Sequence, residues 1–323
     1  MANECSKRLA VTILVLYVLL GAVYFYEMWT GKVLIPGDAF AYYYLLLLYY
    51  ASNPSIVSWL PYIFLGMVGM LSAGLLYPVY VMYFFLPASV AFNLNIVLHC
   101  VLAAYFTFLY VRLLNIALFP SFMSGLVFAF SGFLMAHKGH TVIVNAAVWL
   151  PLLLFLYEKM RTTLSSKYSA WAALVIAIQV FAGHYQICLY TYLVLGFFTI
   201  FYLSDVARGK RLRFVLLCVV PIIVGSLIAS SQMIETKEAG DISMRAAHDY
   251  NFFTTYSFSP FMLPQLFFPF LFGMAYGGHY WGSWNLTELA GFIGVMPLML
   301  GLWAAVRLWK INIHIRFWLY WLH

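Results

Sequence analysis

The sequence predicts an all-α fold: a polytopic bundle of transmembrane helices with one large outer loop early in the chain and another late in it. Of the 323 residues, 65% are hydrophobic and only 8% are charged, whereas a soluble domain carries about a quarter charged residues. Apolar runs of roughly 20 residues recur, which is the length that crosses a bilayer. Basic residues gather in the short loops between these runs, as loops on the cytoplasmic side do. The solvent for most of this chain is therefore lipid.

The apolar runs predict a single transmembrane domain that covers residues 1–323. The first run follows Lys7 and Arg8, as a signal peptide would, but it is long enough to span and no cleavage pattern follows, so we expect a retained helix. The predicted spans are 9–29, 89–111, 121–137, 142–158, 168–183, 186–204, 214–232 and 288–306, with a partial span at 313–323. The outer loops are then 30–88 and 233–287.

The distribution of basic residues predicts a cytoplasmic N-terminus in the cell (plasma or inner) membrane. With this orientation, the outside holds only four of the 17 basic residues, namely Lys32, Lys138, Lys237 and Arg245. The opposite orientation would reverse this asymmetry and break the positive-inside rule. Because orientation explains the net charge of +7, we expect membrane lipid and no nucleic acid as a partner.

Residues 30–88 are apolar in part but are interrupted by Gly66, Gly69, Gly74 and Pro78. The charge layout requires this stretch to cross the membrane an even number of times. We favour no crossing, with helices that lie on the membrane surface or dip into it. A two-helix hairpin is the alternative.

Acidic residues and histidines concentrate on the predicted outer side. Seven of the ten acidic residues lie there or at its boundary, and so do five of the eight histidines. Topology alone explains an inner face of lysines and arginines, but ionisable groups at the mouth of a helical bundle indicate a functional site. The five histidines are His137, His140, His184, His248 and His279.

Asp38 is the candidate catalytic residue. It stands in Pro36-Gly37-Asp38-Ala39-Phe40, directly after the first span. A carboxylate there could act as a general base toward a hydroxyl. The alternative is a helix N-cap, since an aspartate before a helix satisfies free backbone N–H groups.

His184 and Gln186 lie between two spans, and the connection is so short that both must sit at the membrane boundary. His184 could bind a phosphate or donate a proton, or it could simply tolerate an interface. His137 and His140, spaced i, i+3, could form half of a zinc site. They lack a fixed third ligand, so we favour loop polarity and predict no metal and no cofactor.

Residues after the seventh span predict a surface helix with weak i, i+4 ion pairs, from Lys237 to Asp241 and from Asp241 to Arg245. In the alternative interpretation, Arg245 clamps a phosphate, and Glu235 lies close by in the sequence. The aromatic residues Tyr42 and Tyr43 suit an interfacial belt first and sugar stacking second.

Several ordered motifs resemble bacterial YfhO-type membrane proteins, which are similar to the C-type glycosyltransferase superfamily. These motifs are Gly37-Asp38-Ala39-Phe40, Leu76-Tyr77-Pro78, Phe130-Ser131-Gly132-Phe133, Trp149-Leu150-Pro151-Leu152, Gly183-His184-Tyr185-Gln186, Ser243-Met244-Arg245, Ser257-Phe258-Ser259-Pro260, Phe267-Phe268-Pro269 and Glu288-Leu289-Ala290-Gly291-Phe292-Ile293-Gly294. The resemblance implies a helical fold with an outer cavity, where a sugar moves from a polyprenyl-phosphate carrier to a cell-envelope glycan or lipid acceptor. It also implies that Asp38 occupies the place of the superfamily's catalytic acid.

The chain departs from that superfamily in two respects. It has one acid in the first outer loop rather than a pair, and it stops inside a predicted span, which suggests a C-terminally truncated member. We expect His184, Gln186, Arg245, Glu235, Tyr42 and Tyr43 to contact substrate. The rival functions are a transporter or flippase of a lipid-linked or small polar substrate, and a non-catalytic membrane assembly protein. His99 and Gln179, the polar side chains in mid-span, could hydrogen-bond neighbouring helices instead of lining a transport path.

Overall fold

The computed structural model describes residues 2–34, 39–52, 59–60, 67–68, 74, 76–242, 249–250, 254–255, 257–274, 279–283 and 285–322, and within them the fold is helical. The α-helices are α1 (Ala2–Tyr24), α2 (Tyr44–Ser52), α3 (Ala88–Leu113), α4 (Leu118–Ala129), α5 (Gly132–Ala136), α6 (Thr141–Ala147), α7 (Leu150–Thr163), α8 (Ser166–Phe181), α9 (Tyr185–Phe201), α10 (Arg211–Ile228), α11 (Ser230–Asp241), α12 (Val295–Leu308) and α13 (Ile313–Leu322). A short antiparallel pair joins β1 (Trp59–Leu60) to β2 (Met67–Val68).

Five helical stretches of the described chain are long and apolar enough to cross a membrane. They are Ala88–Leu113, Leu118–Gly139, Thr141–Thr163, Tyr185–Asp205 and Arg208–Ile228. Three shorter apolar helices accompany them, at Arg8–Tyr24, Ser166–Phe181 and Val295–Leu308. The chain is thus a helical membrane protein, as its composition predicts.

Two of the long stretches are broken in the middle. Pro151 stands in the first turn of α7, and its missing N–H cannot bond the carbonyl four residues earlier, so the helix is interrupted between Ala147 and Leu150. The other break falls between α4 and α5, where the Ser131 hydroxyl accepts a hydrogen bond from the backbone N–H of Leu134 at 3.4 Å and caps α5. Broken helices place backbone polar groups inside the bundle.

The last long apolar run becomes helical later than its composition suggests. The predicted span is 288–306, but α12 begins at Val295, after Gly294, whose φ of 95° belongs to the left-handed region that glycine favours. Residues 288–294 form a loop instead. The backbone N–H of Gly132 bonds the Phe292 carbonyl at 2.6 Å and holds this loop against α5.

The bundle has two chemically different ends. The basic end is where α3 and α7 finish and α8 and α10 begin, and it carries Arg112, Arg161, Lys167 and Arg213. The histidine end is where α5 and α8 finish and α6 and α9 begin. Alternating helix directions separate the two, with α6 and α7 running about 30 Å from one to the other.

Residues of the predicted first outer loop, 30–88, pack against the bundle at the histidine end. No described segment of residues 31–87 is long enough to cross a membrane, and the number of crossings remains a prediction. A 3-10 helix, Pro78–Phe84, follows Tyr77, which is only 1% exposed and lies against His99 of α3. This re-entrant segment fills the space between α3 and α6.

Candidate functional site

Four ionisable side chains from separate parts of the chain meet at the histidine end. His137 and His140 lie on the turn between α5 and α6, with ring centroids 5.5 Å apart. The loop before α12 brings Glu288 Oε2 to 3.9 Å from His137 Nε2. His184, between α8 and α9, lies close enough for its pKa to respond to the charges of the other three. We call these residues, His137, His140, His184 and Glu288, the histidine cluster.

His137 is the buried member of the cluster, with only 2% of its surface exposed. Its Nδ1 lies 2.8 Å from the Phe133 carbonyl oxygen, and a carbonyl can only accept, so Nδ1 carries the hydrogen. Nε2 therefore faces Glu288 with a lone pair, and an ion pair forms when Nε2 takes up a second proton. The nearby His137 holds the pKa of Glu288 below its ordinary value of 4.5, against the opposing effect of burial. At 3.9 Å the carboxylate and the ring are close enough for an ion pair but not for a direct hydrogen bond.

His184 caps the N-terminus of α9. Its Nδ1 accepts the backbone N–H of Ile187 at 3.4 Å, so in the neutral ring the hydrogen is on Nε2. Burial lowers the pKa of His184 to about 4; His137 and His140 lower it further, while Glu288 opposes them. His184 is thus neutral at pH 7, and its Nε2–H has no hydrogen-bond partner among the residues that the structure describes. A donor at a helix N-terminus suits a phosphate oxygen.

The segment that follows Asp38 packs against the histidine cluster. A π-helical turn, Ala39–Tyr43, contacts the turn His137–Gly139, and Ala39 is fully buried. The Tyr43 ring lies 6.4 Å from the His140 ring in an edge-to-face arrangement, and Tyr42 contacts Tyr43 in the same way. Asp38 lies outside the described residues, but it is bonded directly to Ala39.

The other predicted site residues do not join the cluster in the described structure. Gln186 donates from Nε2 to the Tyr190 hydroxyl at 2.6 Å on the exposed side of α9. Glu235 is exposed on α11, and Arg245 lies outside the described residues. The predicted surface ion pair between Lys237 and Asp241 is confirmed, at 2.5 Å.

A chain of buried hydrogen bonds lies in the bundle beneath the re-entrant segment. Trp149 Nε1 donates to the Tyr77 hydroxyl at 3.2 Å, and this hydroxyl lies 2.6 Å from His99 Nε2. His99 Nδ1 lies 2.6 Å from the Asn95 carbonyl oxygen and so carries the hydrogen, which leaves Nε2 to accept from Tyr77. The hydrogen bonds therefore all run in one direction, from Trp149 through Tyr77 and His99 to the Asn95 carbonyl. They fix how deeply the re-entrant segment lies in the bundle.

Part of this series of buried hydrogen bonds is visible in the sequence. Asn95 and His99 are spaced i, i+4 in an apolar helix, and this spacing indicates one polar face. Of the two alternatives for His99, a bond to a neighbouring helix or a place on a transport path, the structure shows a bond to Tyr77, which precedes the 3-10 helix Pro78–Phe84. Gln179 does bond a neighbouring helix, donating to the Ala146 carbonyl of α6 at 2.9 Å.

The arrangement can donate hydrogen bonds and accept a proton. Among the described residues, no group of three or more histidine, cysteine or acidic side chains is placed to hold a metal ion. The histidine cluster has one neutral donor in His184 and one partly exposed carboxylate in Glu288, beside His137. Comparison with family models, curated proteins and solved structures gave no match to this chain, so its function must be inferred from the chemistry of the site.

Proposed function

We propose that this protein is a membrane glycosyltransferase that moves a sugar from a polyprenyl-phosphate carrier to a cell-envelope acceptor. The observation that supports the proposal most is the histidine cluster, which gathers polar groups at one end of an apolar bundle beside the segment that follows Asp38. A carrier lipid needs such a place, with its tail among helices and its phosphate at their ends.

The orientation of the helical bundle in the membrane supports the same proposal. Lysines and arginines concentrate at the basic end of the bundle, so the positive-inside rule assigns that end to the cytoplasm and the histidine end to the outer face. Nucleotide sugars are not expected outside the cell membrane. A lipid-linked phosphosugar is the simplest activated donor there, and it requires no soluble cofactor.

The reaction assigns one role to each group. The acceptor hydroxyl oxygen attacks the anomeric carbon, its proton passes to Asp38, and the bond from that carbon to the phosphate oxygen breaks. The phosphate leaves with the bonding electrons, and the His184 Nε2–H and Arg245 stabilise its charge. The Glu288 carboxylate beside His137 can accept a proton near the site, and Tyr42 and Tyr43 offer ring faces to the sugar.

A transporter is the second candidate, because two observations favour it. The α4–α5 and α6–α7 breaks resemble the discontinuous helices that line transport sites, and the Tyr77–His99 bond places polar groups inside the bundle. In that series of hydrogen bonds, however, each polar group already has a neighbour as its partner. These bonds stabilise the re-entrant segment and leave no path for a substrate. At the histidine end, by contrast, the His184 Nε2–H has no partner among the described residues.

The test compares two Asp-to-Asn variants of the full chain. Purified protein in proteoliposomes is supplied with a panel of short-chain polyprenyl-phosphate-linked hexoses, and covalent transfer to a glycolipid acceptor is measured. Because a general base contributes roughly 100- to 10,000-fold, we expect Asp38→Asn to lose at least about 100-fold in turnover. Asp241→Asn is the matched control, since its side chain is 62% exposed and, among the described residues, pairs with Lys237 alone.

The outcomes separate the two functions. Loss in Asp38→Asn with normal turnover in Asp241→Asn supports sugar transfer. Wild-type turnover in Asp38→Asn removes Asp38 from the mechanism. Movement of the donor across the vesicle membrane without any covalent product makes the protein a flippase and overturns the glycosyltransferase proposal.

A further inference from the structure

An apolar groove runs along the lipid-facing surface between α8 and α10, starting at the basic end. Its volume is about 610 Å³, within the range of sites that hold small ligands. The walls come from both helices and include Ala170, Ala173, Leu216, Val220 and Val224. The groove lies far from the histidine cluster, so its occupant is independent of the proposed sugar transfer.

The groove exists because α8 and α10 approach closely along a line of small residues. The Ser169 hydroxyl donates to the Leu217 carbonyl at 2.9 Å, and a Cβ on Gly225 would lie 2.6 Å from the Ala173 carbonyl oxygen. Backbone contact at this distance leaves a floor of small side chains. The larger side chains of α10, such as Leu216 and Val220, stand beside the floor and form a wall.

Positive charge is confined to one end of the groove. Arg213 lines the groove there, beside Ser166. Lys167 follows Ser166 in the sequence, Arg208 and Lys210 shortly precede Arg213, and all three are exposed. Arg213 forms no ion pair with any residue in the described part of the chain.

Arg211, within one turn of α10, differs from Arg213 in its hydrogen bonds. The Arg211 guanidinium donates to the carbonyls of Val206 and Ser204, and these bonds hold it in place within the fold. Arg213 has no such partner, so its guanidinium is available to an anion.

The length of the groove matches one leaflet of a bilayer. From Arg213 to Val224 the helix rises about 16 Å, close to half of the roughly 30 Å hydrocarbon core. A single acyl chain that starts from a headgroup at Arg213 would therefore reach the bilayer middle within the groove. Basic pockets between transmembrane helices on the cytoplasmic side are recognised sites for anionic headgroups.

We propose that this groove binds an anionic phospholipid, with the phosphate at Arg213 and one acyl chain along Leu216, Val220 and Val224. The guanidinium offers two parallel N–H donors to the phosphate, a geometry that selects phosphate over a neutral surface. The Ser166 hydroxyl adds a third donor. Phospholipids with an anionic headgroup bind in preference to those with a zwitterionic one.

The test uses the delipidated full chain in detergent, with dioleoyl-phosphatidylglycerol and dioleoyl-phosphatidylcholine as probes. Native mass spectrometry measures the bound fraction against lipid concentration. We expect phosphatidylglycerol to bind more tightly, and Arg213→Gln to weaken it about fivefold, since one basic residue near an anionic surface is worth about 1 kcal/mol. Arg307→Gln is the matched control, because Arg307 is exposed at the same end but does not line the groove.

A second pair of variants tests the apolar part. Ala170→Trp fills the groove and should abolish phosphatidylglycerol binding, while Leu302→Trp, on the exposed side of α12, should leave it unchanged. The proposal is overturned if Arg213→Gln and Arg307→Gln weaken binding equally, or if Ala170→Trp has no effect. A protein dimer that Ala170→Trp dissociates would assign the groove to a second copy of the chain and would likewise overturn the lipid proposal.

Discussion

The two ends of the bundle treat buried charge in opposite ways. At the basic end, Arg161 donates to both Glu158 oxygens, at 2.9 and 2.5 Å, and to Asp205 at 3.4 Å. Its guanidinium lies 4.9 Å from the centre of the Tyr202 ring, and the Tyr202 hydroxyl lies 2.8 Å from His314 Nδ1. This network joins α7, the 3-10 helix Tyr202–Asp205 that follows α9, and α13, and its members have little capacity left for a ligand.

At the histidine end, the same kinds of groups are incompletely paired. Glu288 approaches His137 no closer than 3.9 Å, and its side chain is 40% exposed. The His184 Nε2–H has no partner within the described residues. Charges held this loosely contribute little to the stability of the fold. A donor without a partner, however, can bind a ligand without first breaking another hydrogen bond. The difference indicates that the Arg161 network of the basic end is structural and that the histidine end is the candidate site for sugar transfer.

Arg161→Met should have the largest effect on stability. It leaves Glu158, only 4% exposed, as a buried charge with no counter-ion, and breaking one partner of such a pair costs about 3 kcal/mol or more. Equilibrium unfolding in mixed detergent micelles measures the loss. Lys159→Met is the control, since Lys159 is on the same helix but makes only a distant contact with the Phe155 ring.

A double variant sharpens this result. Glu158→Gln with Arg161→Met removes both charges, so most of the lost stability should return. If the double variant is as unstable as Arg161→Met alone, the cost comes from packing, and the basic end is not held together by its ion pairs.

Acidification should destabilise the histidine end at moderately acidic pH. The folded protein keeps His184 neutral down to a pKa of about 4, while the unfolded chain takes up the proton near the ordinary value of 6.5. The unfolded state therefore binds more protons as the pH falls from 6.5 toward 4, and the free energy of unfolding decreases over that range. Unfolding is measured between pH 7 and 5, where Glu288 stays ionised; His314, whose pKa is also lowered by burial, contributes with the same sign in this range.

His184→Asn provides the comparison. Asparagine also caps a helix but does not titrate, so the variant should lose less stability than the wild type between pH 7 and 5. An identical pH dependence in the two proteins would place the titrating group elsewhere.

Much of this fold follows from composition, because lipid imposes simple rules. Apolar length predicts helices, and the arrangement of basic residues distinguishes the two ends before any contact is known. The i, i+3 spacing of His137 and His140 places both on one turn, and the short connection at His184 puts that residue at a helix end. These are local properties, which a sequence displays directly.

Long-range contacts could not be predicted in this way. The sequence placed Glu288 at the start of a span, but Gly294 delays α12 and the loop carries Glu288 to His137. Tyr77 was noted only within a motif, and its bond to His99 depends on how deeply the first outer stretch enters the bundle. Arg161 was counted toward topology alone, although its partner Asp205 lies 44 residues away. Each contact depends on tertiary packing, for which hydrophobic periodicity carries no signal.

Glu288→Gln should have the smallest effect on stability and thereby test the contrast most directly. The side chain is partly exposed and its partner is 3.9 Å away, so the free energy of unfolding should change by less than about 1 kcal/mol. Sugar transfer should nevertheless fall by at least about tenfold, because the amide cannot accept a proton as the carboxylate can. Glu27→Gln is the matched control, since Glu27 forms an exposed pair with Lys32 at 3.1 Å and lies outside the cluster. The contrast fails if Glu288→Gln lowers the free energy of unfolding by about 3 kcal/mol and leaves turnover per folded molecule unchanged. The His137–Glu288 pair would then stabilise the fold as the Arg161–Glu158 pair does, and both pairs would be structural.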